Sequence, residues 1–123
     1  MAAIPAKQAA PSHHELLIPK GAPWKYFDRG SQPSARWHAI NFDDRRWPTG
    51  KAEIGYGDGD ERTTVSFGRS RHRKHTTTYF RHTFNLSDTA DITALDLRLK
   101  RDDGAAVYIN GSEAVRSNLT DAK

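Results

Sequence analysis

The chain contains no cysteine, a single methionine and no long hydrophobic run. The lack of cysteine excludes disulfides and thiolate chemistry, but it leaves the compartment open because a domain of this size can fold without cross-links. No apolar stretch approaches the ~20 residues of a membrane-spanning helix, so no membrane partner is expected. Residues 1–7 show no basic region followed by an apolar one, so no signal peptide is visible.

The length of 123 residues fits one domain with a modest core. Residues 1–14 are rich in alanine and proline, which predicts a flexible N-terminal lead. Ordered structure is therefore expected over residues 15–123.

The positive net charge of +4 is concentrated in one place. Up to Glu61 the chain has equal numbers of acidic and basic residues. After Glu61 basic residues exceed acidic ones by four, which is the number of basic residues in the run 69–75: Arg69, Arg71, Arg73 and Lys74. Runs of like charge are usually solvated loops, although such a run can also bind a phosphate backbone or an anionic glycan. The run lacks the exposed aromatics or recognisable helix of a nucleic-acid domain, so nucleic acid is not the expected partner.

Turn signals near the C-terminus predict antiparallel β-structure. Asp103 with Gly104, and Asn110 with Gly111, are pairs that adopt positive φ at low steric cost and reverse a chain between strands. Residues 76–86 and 92–101 are the strongest strand candidates, and in the second Leu95, Leu97 and Leu99 alternate with charged residues. Further strands are predicted at 16–18, 24–27, 51–56, 63–67, 107–109 and 113–116. One short helical turn is predicted before Pro48, with Asp43 as its N-cap.

Short strands separated by regular turns suggest a sandwich of antiparallel sheets. Several of these segments together resemble the galactose-binding-like jelly-roll modules that accompany secreted bacterial hydrolases, including glycosidases and metallophosphoesterases. The resemblance covers residues 16–118 and is carried by residues 24–26, 42–44, Trp47, 55–61, 78–81 and 102–111. It implies an all-β jelly-roll β-sandwich, a non-catalytic role and an extracellular or periplasmic location.

A jelly roll of this kind closes with about eight strands, and similar modules continue beyond the Asn110 turn into further apolar strands. Two interpretations stay open, a complete domain over residues 15–123 and the N-terminal portion of one. In the second case an unpaired sheet edge would favour self-association or pairing with another chain.

Three acidic residues on a glycine-rich loop form the candidate metal site. Asp58, Asp60 and Glu61 offer the oxygen ligands that Ca²⁺ prefers, but a calcium loop usually adds more carboxylates at alternate positions. A turn with solvated acids is the competing interpretation, so the expected cofactor is none or Ca²⁺.

Aromatic residues form the candidate ligand site. Trp37, Trp47 and Tyr56, together with Trp24, can supply a stacking platform for a sugar ring, with Arg81 or an acid bonding its hydroxyls. Packing in the core or at its rim is the alternative for each ring. Trp37 is the preferred ligand residue because it lies between two polar segments.

No nucleophile, base or metal cage is recognisable, so no enzymatic activity is expected. The first functional hypothesis is a carbohydrate-binding or interaction module of a larger secreted protein. The second is a structural domain that packs against a neighbouring catalytic domain, such as a metallophosphoesterase, without a ligand of its own.

Overall fold

A computed structural model describes residues 15–86, 94–101 and 103–119 of the chain. This part is all-β, with seven short strands and no helix. The strands are β1 (Pro23–Phe27), β2 (Thr49–Lys51), β3 (Ile54–Gly55), β4 (Thr63–Thr64), β5 (Tyr79–Arg81), β6 (Ala105–Ile109) and β7 (Ser112–Ser117). They form an antiparallel sheet in the order β2-β1-β5, a parallel pair β3-β4 and an antiparallel pair β6-β7. In these residues no helix is long and apolar enough to cross a membrane.

The three-stranded sheet is organised by the aromatic strand β1. Tyr26 lies opposite Phe80, and Phe27 lies opposite Tyr79, whose ring it meets edge-on at 6.3 Å between centroids. Aromatic pairs across neighbouring strands are among the more stabilising contacts in antiparallel sheets. The strand predicted at residues 24–27 is therefore confirmed, and its place between two partners explains why it forms.

The core is small and lies beside this sheet. Within the described residues only Ala22, Trp47 and Val65 are buried. The Trp47 ring packs against Phe27 at 5.3 Å and Phe42 at 5.7 Å between centroids. Trp47 thus joins β1 to the loop that precedes β2, and it is the largest buried side chain of the described chain.

The hairpin of β6 and β7 confirms the second predicted turn. Asn110 and Gly111 have φ values of 52° and 86°, the left-handed region that a tight two-residue hairpin turn requires at both central positions. The pairing contains a β-bulge between Val107 and Tyr108. Asp103 also has a positive φ, 69°, but Gly104 does not, and the described residues 94–101 before it form no strand, so the first predicted turn does not join two strands there.

Gly111 provides a local test of this turn. Because an L side chain at φ 86° is strained, we expect Gly111→Ala to lower the free energy of unfolding by about 1 kcal/mol. Chemical denaturation monitored by circular dichroism measures the change. The exposed neighbour Ser112, replaced by alanine, is the control and should change stability little. Equal stabilities of the two variants would contradict the turn geometry.

Several predicted strands are shorter than expected or absent. The strand predicted over 76–86 is reduced to β5, and those predicted over 51–56 and 63–67 are reduced to β3, β4 and part of β2. Residues 16–18 and 94–101 lie in no strand, so those predictions are wrong for the described residues. Strand propensity alone does not supply the backbone partner that a ladder requires. The predicted lead 1–14, residues 92 and 93, and Asp102 lie outside the described residues.

The segment before Pro48 forms a single turn without a helix, and Asp43 makes the backbone hydrogen bond expected of the predicted N-cap. Asp43 accepts hydrogen bonds from the backbone nitrogen and the guanidinium of Arg45, and these bonds lower the pKa of its carboxyl group. The backbone nitrogen of Trp47 then donates to the carbonyl oxygen of Asp44 at 3.0 Å, which closes a single turn. Aspartate bonding to the backbone nitrogen two residues on is the bond of an N-cap, and the same bond also occurs in turns outside helices.

Candidate functional site

An open cleft of about 270 Å³ lies along the first half of β1. It is lined by residues of β1, β2 and β5, and by one acid from the turn before Pro48. The lining residues are Pro23, Trp24, Lys25, Asp44, Thr49, Arg81, His82 and Thr83. Its volume is slightly below the range of about 300–1,000 Å³ typical of sites for drug-sized ligands, so it suits a small group such as a single ring.

Two of the lining residues form an aromatic pair. His82 directly follows β5, and the pairing of Lys25 with Arg81 places it opposite Trp24. The two rings lie 4.9 Å apart between centroids, tilted by 47°. His82 Nδ1 lies 2.7 Å from the carbonyl oxygen of Pro23. Because a carbonyl oxygen only accepts, Nδ1 donates this bond, and Nε2 is left to bond a ligand.

The cleft is also lined by a fixed ion pair. Arg81 Nε donates to Asp44 Oδ2 at 2.8 Å, and the two side chains are only 13% and 23% exposed. Arg81 Nη1 donates to the carbonyl oxygens of Trp37 at 2.7 Å and Ala39 at 3.1 Å, and the guanidinium lies 5.3 Å from the centre of the Phe42 ring. Arg81 therefore ties the loop after residue 36 to β5. Arg81 Nη2 and Asp44 Oδ1 have no hydrogen-bond partner in the described chain.

The predicted ligand residues do not converge on one site. Arg81 lines the cleft, whereas Trp37 contributes only its carbonyl oxygen to the arginine. The half-buried Trp37 ring packs edge-on against Tyr79 at 5.0 Å and Tyr108 at 5.5 Å, between β5 and β6. This packing gives Trp37 a role in joining the two strands.

Trp47 and Tyr56 also lie away from the cleft. Trp47 borders a second cleft of about 470 Å³, but its ring is 7% exposed and offers little surface for stacking. Tyr56 packs against Phe67 at 5.1 Å, and the Lys74 ammonium lies over both rings. One residue of the basic run 69–75 is thereby held against the protein.

The acidic loop brings together a different set of carboxylates from the predicted one. Asp58 and Asp60 meet Glu53, with one oxygen from each residue within 4.8 Å of the others. Glu61 turns away and accepts hydrogen bonds from the backbone nitrogens of Asp58 and Gly59. The Glu61 carboxylate therefore shapes the loop by holding the backbone at Asp58 and Gly59.

A lysine already neutralises part of this cluster. Lys100 Nζ lies 2.6 Å from Glu53 Oε2 and 3.5 Å from Asp60 Oδ2. The hydrogen bond to Glu53, with the charges of both acids, raises the pKa of Lys100. Ca²⁺ binding by Asp58, Asp60 and Glu61 stays a prediction, and a metal ion would have to displace this ammonium group.

Sequence reasoning missed Asp44 and His82 as site residues and did not select Trp24. These side chains come from separate segments, and only the register of β1 against β5 places Trp24 beside His82. Once β1 and β5 are paired with Lys25 opposite Arg81, the aromatic pair follows. No spacing in the sequence indicates the pairing of Asp44 with Arg81 or of Lys100 with Glu53.

Fold and cleft together define an all-β protein with a small cleft that is lined by an aromatic pair and by a fixed ion pair. Comparisons with protein-family models, curated proteins and solved structures find no match to this chain. The resemblance to galactose-binding-like modules therefore stays a prediction from the sequence motifs.

Proposed function

We propose that this protein is a non-catalytic carbohydrate-binding module, and that the cleft along β1 binds a sugar ring. The observation that carries the proposal is that Trp24 with His82, and Arg81 with Asp44, line the same small cleft. The all-β fold and the motifs quoted above support a galactose-binding-like jelly-roll sandwich as its architecture. By the same resemblance it acts outside the cytoplasm as part of a larger secreted protein.

The aromatic pair and the ion pair suit the two kinds of surface that a sugar presents. The apolar face of a pyranose packs against an aromatic ring, which Trp24 offers. Its hydroxyls both donate and accept hydrogen bonds, and the ion pair offers the unused Nη2 donors of Arg81 beside the unused Oδ1 acceptor of Asp44. His82 Nε2 adds a further hydrogen-bonding group beside Trp24.

The charged lining residues leave the cleft close to neutral, which is compatible with a neutral ligand. Lys25 and Arg81 are balanced in part by Asp44, which is already paired with the arginine. A strongly anionic ligand would have to bind beside this carboxylate. Asp44 is also the only acid among the lining residues, whereas glycoside hydrolysis ordinarily uses two carboxyl groups across the bond. The cleft thus supports binding without cleavage.

A glycan array followed by affinity electrophoresis tests the proposal. Wild-type protein should bind at least one neutral glycan saturably, and Trp24→Ala should weaken that binding by about tenfold or more through loss of stacking. Ile40→Ala is the matched control, because Ile40 is 75% exposed and lies outside the cleft.

Failure of wild-type protein to bind any glycan would contradict the proposal and favour the alternative, a structural domain that packs against a neighbouring hydrolase. Binding that is lost in Trp37→Ala but kept in Trp24→Ala would place the sugar at the ring preferred from the sequence.

A further inference from the structure

Residues 94–101, hereafter the leucine segment, carry an exposed apolar stripe. Leu95, Leu97 and Leu99 are 45%, 50% and 46% exposed, and they alternate with Asp96, Arg98 and Lys100. Alternation of apolar and charged residues is the pattern of a strand with one buried face. The segment nevertheless lies in no strand, helix or turn, so it has the side-chain pattern of a strand but pairs with no strand of the described residues.

The charges on this segment differ in what they contact. Lys100 is held by Glu53 and Asp60 of the same chain, which anchors the C-terminal end of the segment. Asp96 and Arg98 are exposed, and neither forms an ion pair within the described residues. One negative and one positive group thus flank Leu97 symmetrically, free to meet a partner.

We propose that two copies of this chain associate through their leucine segments, paired as antiparallel strands with Leu97 opposite Leu97. This register places Leu95 of each copy opposite Leu99 of the other on one face. On the other face it places Asp96 of each copy opposite Arg98 of the other. The interface is self-complementary, as a twofold-symmetric dimer requires.

Charge selects this register over its neighbours. Shifting the pairing by two residues in one direction sets Asp96 opposite Asp96, and shifting it in the other direction sets Arg98 opposite Arg98. A parallel pairing in register also stacks identical charges. Like charges directly opposite one another destabilise a strand pair, whereas opposite charges stabilise it. A shift by one residue would move the leucines to the charged face.

Pairing would both satisfy backbone hydrogen-bonding groups of the segment and bury part of its apolar stripe. An unpaired strand edge offers free backbone donors and acceptors as a template for another strand. When two leucine segments pair, the three leucines of each copy lie next to those of the other and lose exposed apolar surface. This contact matters because the described residues include only three buried apolar side chains. The dimer does not depend on the sugar cleft, which is lined by other residues.

Charge complementation between two variants tests the proposal. Asp96→Arg makes both central positions positive, and Arg98→Asp makes both negative, so each variant alone should dimerise at least about tenfold more weakly than wild type. An equimolar mixture restores opposite charges across the pair and should recover dimers that contain one copy of each. Sedimentation equilibrium over a wide concentration range measures the association.

Recovery in the mixture also shows that both variants are folded. A wild-type chain that stays monomeric throughout the range, a dimer unaffected by either substitution, or a mixture that fails to recover would each overturn the proposal.

A cysteine at the symmetry axis gives a second, independent measurement. The chain has no cysteine of its own, so Leu97→Cys introduces the only thiol, and directly opposite positions of antiparallel strands are close enough for a disulfide. Mild oxidation should therefore yield a covalent dimer. In the control Ala94→Cys the two thiols lie about 20 Å apart along the paired strands and should not be joined. Equal cross-linking of both variants would contradict the register.

Discussion

Replacing Trp47 by alanine is expected to lower the free energy of unfolding by about 3–5 kcal/mol, the range for removing a large aromatic side chain from a core. Trp47 is 7% exposed and packs against Phe27 and Phe42. Few other buried apolar groups exist in the described chain to take over these contacts. Because small domains are stable by only about 5–15 kcal/mol in total, the variant should be partly unfolded at moderate temperature.

Urea denaturation monitored by circular dichroism measures this loss. Ile40→Ala is the matched control, since Ile40 is 75% exposed and its removal should change stability by about 0.5 kcal/mol or less. Trp47→Phe keeps an aromatic ring in the core and should fall between the two. Similar stabilities of Trp47→Ala and Ile40→Ala would show that Trp47 does not organise the core.

Replacing Arg81 by alanine is expected to lower the free energy of unfolding by about 3 kcal/mol, because it leaves a half-buried carboxylate without its partner. Asp44 would lose the guanidinium, and the carbonyl oxygens of Trp37 and Ala39 would lose their donor. Arg81→Lys keeps the charge but loses the planar fork that bonds three acceptors, so it should restore only part of the stability.

The exposed ion pair of Arg45 with Asp43 is the control for Arg81. Its side chains are 88% and 60% exposed, and such surface pairs contribute little. Arg45→Ala should therefore leave the denaturation midpoint nearly unchanged. An Arg81→Ala variant as stable as Arg45→Ala would contradict the role of Arg81 in tying the loop to β5.

Local turn chemistry made the β6–β7 hairpin predictable from the sequence. Asn110 and Gly111 tolerate the positive φ that the turn needs, and the residues on both sides pair because the turn brings them together. The strand β1 was predictable for a similar reason, since its run of aromatic residues is bounded by a glycine on one side and a polar loop on the other.

Strands without a local partner were not predictable in the same way. The leucine segment has a better alternation than β5, yet β5 forms a ladder and the leucine segment does not. The difference lies in whether another strand is available, which is a property of the tertiary structure. The unpaired segment is also where association with a second copy is proposed.

The candidate site was predicted only in part for the same physical reason. Arg81 was selected as a residue that bonds hydroxyls, and it does line the cleft. Trp37 was preferred for its polar surroundings in the sequence, but its ring packs between β5 and β6. The register of β1 against β5 instead places Trp24 beside His82, and the positions of these two residues in the sequence do not reveal that register.

The most direct test of the proposed function follows the cleft residues themselves during a glycan titration. Nuclear magnetic resonance spectra of the wild-type chain should show saturable shifts of the Trp24 indole and the His82 imidazole with a neutral glycan that the protein binds. The signals of Trp47 and Tyr56, outside the cleft, should move little under the same conditions. Saturable shifts confined to Trp37 or Tyr56, or none at Trp24 and His82 with any glycan, would contradict sugar binding in this cleft.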